Sequence, residues 1–494
     1  MRARRLLSSA VFAIGFAAMS ACSGTSTSVA PNMPRNAPAN APAKAPQVQP
    51  FTGYGYGSDD WKTFAHDFQH TGYQPVTGIT KANAHKLTVR WSVSIGEQIY
   101  SSPLVYGGNV IIVSSTGDVF DFSPATGARI WKTTLPAPST QQILSTPTID
   151  GHTVFIGNRQ ADSNGNPAPS YLYALSLGNG ALLWRTQLNG LTHDSPLVVN
   201  GVVYNGTSGG DYCPINGGVT ALSEATGKIL WTWKVNQLYP GDGGGSVWGP
   251  IAFDGTRLVF GTGNTCQSPI TTANAIVALT QSGSVAWSYP ATKGSAIDDD
   301  VGGGVMLQNG LATVMSKNGS LYRLTAANGQ VNWATPLGAN DQQGGFTTPT
   351  SDGSTIVVGA GFFCILPLCT GTVVSAHRPS TTFCYLDRSP HNIFKRVHPY
   401  NVVSGYNSRF KALDSSGSVL WTKTMTSTID SYAAISPGIV YIGLDNVLNA
   451  LDITTGNVLW SYTTPSRIES GPVVVPSGLY AVDYSGHLYR FTII

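Results

Sequence analysis

Apolar residues in this chain come in short runs broken by glycine, asparagine, aspartate and serine, and residues 195–234 show the pattern in one unit. SPLVV (195–199), GVVYNG (201–206) and GVTALS (218–223) are three apolar, partly β-branched runs; EATG then turns the chain into a fourth, KILWTWK (228–234). Runs of this length and composition, bounded by turn residues, predict four strands rather than helices. The Thr-Gly of the turn supplies a residue that tolerates positive φ.

The turn and its tryptophan then repeat. PATGARIW, GNGALLW, EATGKILW, QSGSVAW, ANGQVNW, SSGSVLW and TTGNVLW end at Trp131, Trp184, Trp231, Trp287, Trp333, Trp421 and Trp460, and Trp91 in KLTVRWSV precedes them all. Successive spacings are 40, 53, 47, 56, 46, 88 and 39 residues. A period near 40 with four β-patterned runs is that of a propeller blade. One four-stranded sheet cannot bury both of its faces alone, whereas sheets stacked around an axis do. The tryptophan, a large flat side chain, suits the wedge between neighbours, so the motif reads as structural.

The two ends fix the count. GPVVVPSGLYAVDYSGHLYRFTII (471–494) carries three strands and no tryptophan, while KLTVRWSV (86–93) is a strand with a tryptophan and no unit before it. The expectation is an all-β, eight-bladed β-propeller of four-stranded antiparallel blades, closed by residues 86–93 completing the last blade, which removes exposed edges. The 88-residue spacing falls in blade 6, where SAHRPSTTFCYLDRSPHNIFKRVHPYNV inserts at about 376–408. That insertion reads as a functional loop, a disordered insertion or a local sequence error, the last because GTVVSA (371–376) already resembles a third strand.

What precedes the propeller has another character. MRARRLLSSAVFAIGFAAMSAC has a basic start, an apolar run and small residues before Cys22. Residues 1–21 read as an export signal. Met19-Ser20-Ala21-Cys22 reads as a lipoprotein cleavage site with Cys22 the acylated residue, the alternative being an ordinary signal that contains a cysteine. Residues 22–57, rich in Ser, Ala, Pro and Asn, read as the lipidated residue and a disordered tether, with the propeller domain at 58–494. This places the protein outside the cytoplasm, held to a membrane by lipid.

Composition narrows the partners. Charged residues make up 11% of the chain, aromatics 10%, and the net charge is +3 over 494 residues. No basic stripe points to nucleic acid, so none is expected as a partner.

The chain resembles the PQQ-type eight-bladed propellers over about residues 58–494. WKTFAHDFQHTGYQPVTGITKANAHKLTVRW (61–91) is similar to the opening of quinoprotein alcohol dehydrogenases, and the blade phrase matches the family's tryptophan-docking motif. The same propeller also serves as the non-enzymatic lipoprotein of the outer-membrane β-barrel assembly machinery, so the fold does not choose a function.

The phase of the repeat brings one set of loops together. Connections between second and third strands, and from a fourth strand to the next blade, lie on one face. GTSGGDYC (206–213), GDGGGSVWG (241–249), GTGNTC (261–266) and SAIDDDVGGG (295–304) are four such loops, carrying Asp211, Trp248, Asn264 and Asp298 to Asp300. Carboxylate and amide oxygens suit Ca²⁺, an indole stacks on a planar quinone, and a carboxylate takes a proton from an alcohol. The resemblance implies PQQ and Ca²⁺ as cofactors, with Trp248 stacking on the quinone, Asp211 and Asn264 as metal ligands, and Asp300, or next Asp299, as the catalytic carboxylate. Asp211 stands where the family has glutamate, and the family's adjacent cysteine pair is absent. Each residue also has a bland reading: Asp and Asn after glycine bond their own turns, the glycine run permits close blade packing, and the aspartates are a solvated loop.

Beyond Cys22 stand Cys213, Cys266, Cys364, Cys369 and Cys384. Cys213 and Cys266 lie in matching loops of adjacent blades and are expected to form a disulfide outside the cytoplasm; Cys364 pairs most simply with Cys369. Two functions follow: a membrane-tethered PQQ-dependent oxidoreductase acting on a small alcohol, or a non-catalytic scaffold that docks another envelope protein.

Overall fold

The computed structural model describes residues 60–137, 140–161, 170–208, 216–236, 245–263, 272–291, 300–337, 347–360, 408–425 and 431–494. All belong to the unit Val48–Ile494. Cys22, the signal and tether segments, and the blade 6 insertion up to residue 407 lie outside the described residues.

The expected unit at residues 195–234 forms strands Leu197–Val199, Val202–Thr207, Gly218–Ser223 and Ile229–Lys234, paired antiparallel in that order. Seven more four-stranded sheets repeat it. Blades 1 to 7 span residues 104–134, 148–188, 197–234, 252–290, 306–336, 350–425 and 434–463. Blade 8 joins the strands within 473–493 to Leu87–Ser94, which pairs antiparallel with His487–Ile493, so the ring is closed by the N-terminal strand as expected. In blade 6 the second strand, Thr355–Ala360, pairs directly with a third strand at Ser408–Asp414. The helical content of the described residues is one 3₁₀ turn, Ala84–Lys86.

Burial explains the two kinds of hydrophobic pattern. Val202–Thr207 and Gly218–Ser223 are buried almost throughout, because neighbouring blades cover both of their faces. The outermost strand alternates, as in Leu87–Ser94. A register shift recurs where the third strand meets the fourth, for example between Ala221 and Leu222, which pair with Trp231 and Ile229 and leave Leu230 bulged out and 52% exposed. A bulge there re-aims the residue that follows it, and that residue is the tryptophan.

Each tryptophan then bridges to the next blade. The indole Nε1–H donates to a backbone carbonyl at every junction: Trp91 to Pro124, Trp131 to Leu177, Trp184 to Glu224, Trp231 to Gln281, Trp287 to Ala326, Trp333 to Ser415, Trp421 to Ile453 and Trp460 to Leu87, at 2.8–3.1 Å. The turn glycine beneath it is equally constrained. Gly227 has φ +69°, and a Cβ there would stand 2.5 Å from the Trp184 ring. One residue pair therefore sets both the turn and the gap between blades.

Candidate functional site

On the face of the interblade connections, a ladder of backbone bonds climbs from blade 2 to blade 5. Leu191 and Ser208 exchange both backbone bonds, and Val247 N–H donates to Thr207 O at 3.1 Å. Ser208 and Ser246 share a hydroxyl–hydroxyl bond of 2.8 Å. Gly263 N–H donates to Ser246 O, Val301 N–H to Thr262 O and Lys317 N–H to Asp300 O. Each connection is thus stitched to the end of a second strand of its own or the preceding blade. The side chains between these rungs are held on rigid backbone.

Trp248 and Asp300 come together there. A Cβ placed on Gly263 would lie 3.0 Å from both Trp248 Nε1 and Asp300 Oδ1, so the missing side chain is what lets the two approach. Trp248 is half-buried, and its covered Nε1 makes no hydrogen bond among the described residues. Asp300 and Lys317 are 4% and 5% exposed and form an ion pair, Lys317 Nζ donating to Asp300 Oδ2 at 3.0 Å. Burying either charge alone would be costly; as a pair the cost is offset. Asp211, Asp298, Asp299, Asn264, Cys213 and Cys266 lie outside the described residues, as do Cys364, Cys369 and Cys384. Among the described residues there is no cluster of three or more metal-ligating side chains.

Three residues of this site went unnoticed in the sequence. Lys317 sits in the turn MSKNGS, the second-to-third-strand loop of blade 5, so the phase rule that singled out Asp211 would also have found it. His193 stands edge-to-face with Trp248, ring centroids 4.6 Å apart. Its Nε2 is covered and, among the described residues, unbonded, and burial, with the charge of Arg159, pushes its pKa down to about 3, so the imidazole is neutral. Asp194, beside it, is fully buried; its Oδ2 accepts the Gly206 N–H at 2.6 Å, yet burial holds its carboxyl well above the usual range.

Asp194 also breaks a rule that four of the blades keep. The third residue before the innermost strand is Ser101, Ser145, Thr347 and Ser470 in blades 1, 2, 6 and 8. Their hydroxyls donate to the carbonyls of Val113, Gly157, Gly359 and Val482 in the second strand of the same blade. Blades 3, 4 and 5 have Asp194, Gly249 and Gly303 instead. A Cβ on Gly303 would meet Thr347 O at 2.5 Å, and one on Gly249 would meet Gly303 backbone at 2.7 Å. The glycine run therefore does permit close packing of the connections, and it does so beside Asp300.

The fold and this arrangement define an eight-bladed propeller of tryptophan-docked blades with a polar site at one mouth. Comparison with known proteins gives it a family. A model described as outer membrane protein assembly factor BamB matches residues 115–374 and 406–493, and one described as the β-propeller domain of glucose, ethanol and alcohol dehydrogenases matches residues 61–153. The chain belongs to the PQQ-type propeller family. It is 25% identical over 274 residues to the outer membrane protein assembly factor BamB of Yersinia pestis, covering 52% of this chain and 63% of that protein. It is 22% identical over 289 residues to the quinohemoprotein alcohol dehydrogenase ADH IIB of Pseudomonas putida, covering 48% of this chain and 40% of that one. The alignments thus span less than two thirds of either relative. The solved quinohemoprotein alcohol dehydrogenase of Comamonas testosteroni superposes with a TM-score of 0.69 at 17% identity, over 88% of this chain and 80% of that one, a likeness of fold.

Proposed function

We propose that the chain is an envelope oxidoreductase of the quinoprotein type, binding PQQ and Ca²⁺ at the mouth formed by blades 3 to 5 and oxidising an alcohol. The observation that carries this reading is the approach of Trp248 and Asp300 over Gly263, with Lys317 paired to Asp300. The described residues fit a planar group: a half-exposed indole offers stacking area, and its covered Nε1–H has no acceptor among the described residues. PQQ, when bound, supplies a two-electron acceptor. Asp300 then accepts the substrate hydroxyl proton at Oδ1, the oxygen turned toward Gly263, while Lys317 holds Oδ2 and so fixes the carboxylate plane. Asp211 and Asn264 are the metal ligands of this proposal, Asp299 the alternative base, and a Cys213–Cys266 disulfide and a lipid at Cys22 complete it. The match of residues 61–153 to the dehydrogenase model supports the enzyme.

A second reading rests on the larger match, that of residues 115–374 and 406–493 to the assembly-factor model: a scaffold that docks an envelope protein. Gel filtration with PQQ and Ca²⁺ separates the two. Quinone absorbance should co-elute with the protein and be lost in Trp248→Ala and Asn264→Ala. Absence of binding at high micromolar PQQ overturns the enzyme reading and leaves the scaffold.

A further inference from the structure

Residues 61–74 do not belong to any blade, yet they are bonded to six of them. Trp61 exchanges both backbone bonds with Val105 of blade 1, and Lys62 O accepts from Ile149 N–H of blade 2. Phe68 O accepts from Phe253 of blade 4, Gln69 O from Leu307 of blade 5, and Thr71 O from Ser351 of blade 6. Ile435 of blade 7 donates to Gly72 O and accepts from Gln74 N–H, and all these bonds are 2.7–3.0 Å long. In every case the partner is the second residue of the innermost strand. The strap therefore winds round the inside of the ring in the order of the blades. In these six blades a strand N–H that would otherwise face the axis is satisfied by chain rather than by water.

So tight a coil demands unusual backbone. Ala65, His66, His70 and Gly72 have φ of 47°, 79°, 58° and 64°. Three of these are not glycine, and positive φ costs such residues energy unless the surroundings over-determine them. Asp67 does so from within: its Oδ1 accepts the N–H groups of Gln69 and Thr71, and its Oδ2 accepts the Thr71 hydroxyl. Trp61, Thr63, Ala65, His66, Phe68, His70 and Gln74 are each at most 6% exposed, so the coil fills the bore it lines.

Two of its side chains reach up to the site connections. His70 Nδ1 lies 2.9 Å from Val305 O. A carbonyl only accepts, so Nδ1 carries the proton, and Val305 is in the same connection as Asp300. Phe68 packs in the apolar cluster that holds Val247 and Ile251, which stand one residue before Trp248 and three after it.

We propose that the strap is the floor of the site: it seals the axis below the mouth, and its His70 and Phe68 are positioning residues that set the height of the Asp300 and Trp248 connections. Ligands then enter and leave by the connection face only. This rests on bonding geometry and stands whether or not a quinone occupies the site.

Hydrogen exchange on the full chain tests it. In the wild type, the amides of Ile149, Phe253, Leu307, Ser351 and Ile435 should exchange as slowly as ladder amides inside a blade; exchange at surface rates would overturn the proposal by itself. His70→Ala should speed exchange across residues 300–307 tenfold or more while leaving blade 8 unchanged, and His70→Asn, which keeps a donor, should restore protection. Phe68→Ala should move the fluorine resonance of 5-fluorotryptophan at Trp248, assigned by its loss in Trp248→Phe, and Phe68→Leu should return it. Unchanged exchange at residues 300–307 in His70→Ala, with an unmoved Trp248 resonance in Phe68→Ala, shows the strap to be filler.

Discussion

The outer rim and the mouth of this ring are built on the same eightfold register, and they use it in opposite ways. At the rim every junction repeats one solution: a bulge, an indole, a carbonyl acceptor and, at seven of the eight, a glycine beneath the ring. At the mouth the register is kept while the residues change. Four blades close their innermost strand with a hydroxyl, and the three that abandon it for Asp194, Gly249 and Gly303 are those that gather His193, Trp248, Asp300 and Lys317. A repeat protein states its scaffold by repetition. Its chemistry lies where the repetition is broken.

The contrast is sharpest for one residue type. Trp287 is 9% exposed, and its Nε1–H is bonded to Ala326 O. Trp287→Ala should lower stability by about 3–5 kcal/mol in urea unfolding, whereas Trp248→Ala, which breaks no hydrogen bond among the described residues, should lose about 1 kcal/mol or less. Equal losses at both positions would erase the distinction between rim and mouth. Next in size is the ion pair. Lys317→Met removes the ammonium that is paired with the buried Asp300 carboxylate and should cost about 3 kcal/mol, and adding Asp300→Asn should recover most of it. Additive effects in that cycle would mean the pair is not coupled.

The smallest effect is the most diagnostic of the break in register. Because the folded Asp194 holds its proton to a higher pH than the unfolded chain, unfolding releases a proton above the unfolded value near pH 4. Stability contributed here is full below that value and is lost as pH rises toward the folded pKa. Asp194→Asn keeps an oxygen for the Gly206 N–H and has no proton to lose. It should match the wild type within about 1 kcal/mol at pH 4 and exceed it by a growing margin at pH 6 to 8. Parallel pH profiles would place an ionised aspartate in that position.

Why the rim was legible and the mouth only half so follows from range. A turn, a bulge and a tryptophan are decided within eight residues, so each unit announces itself, and the complementary ends at residues 86–93 and 471–494 are enough to close the ring. The mouth depends on residues far apart in sequence, such as Gly263 between Trp248 and Asp300. Repeat phase predicted that Trp248 and Asp300 would meet, because phase is periodic. It could not say that Lys317 would bind Asp300 or that His193 would press on Trp248, since those contacts depend on which residue type stands at a shared position. The strap was invisible for another reason: Trp61–Gln74 has neither strand nor helix periodicity, and its bonds go to six separate blades.

Closure has one more consequence. The indole of Trp460 reaches Leu87, 373 residues earlier, and the last blade is completed only when His487–Ile493 finds Leu87–Ser94. During synthesis the early strand must wait, unpaired, until residues 487–493 have emerged, and contacts of such sequence separation form slowly. Annular assembly should therefore end in a slow, cooperative locking step, in which the two extremities of the propeller act as the clasp of a bracelet.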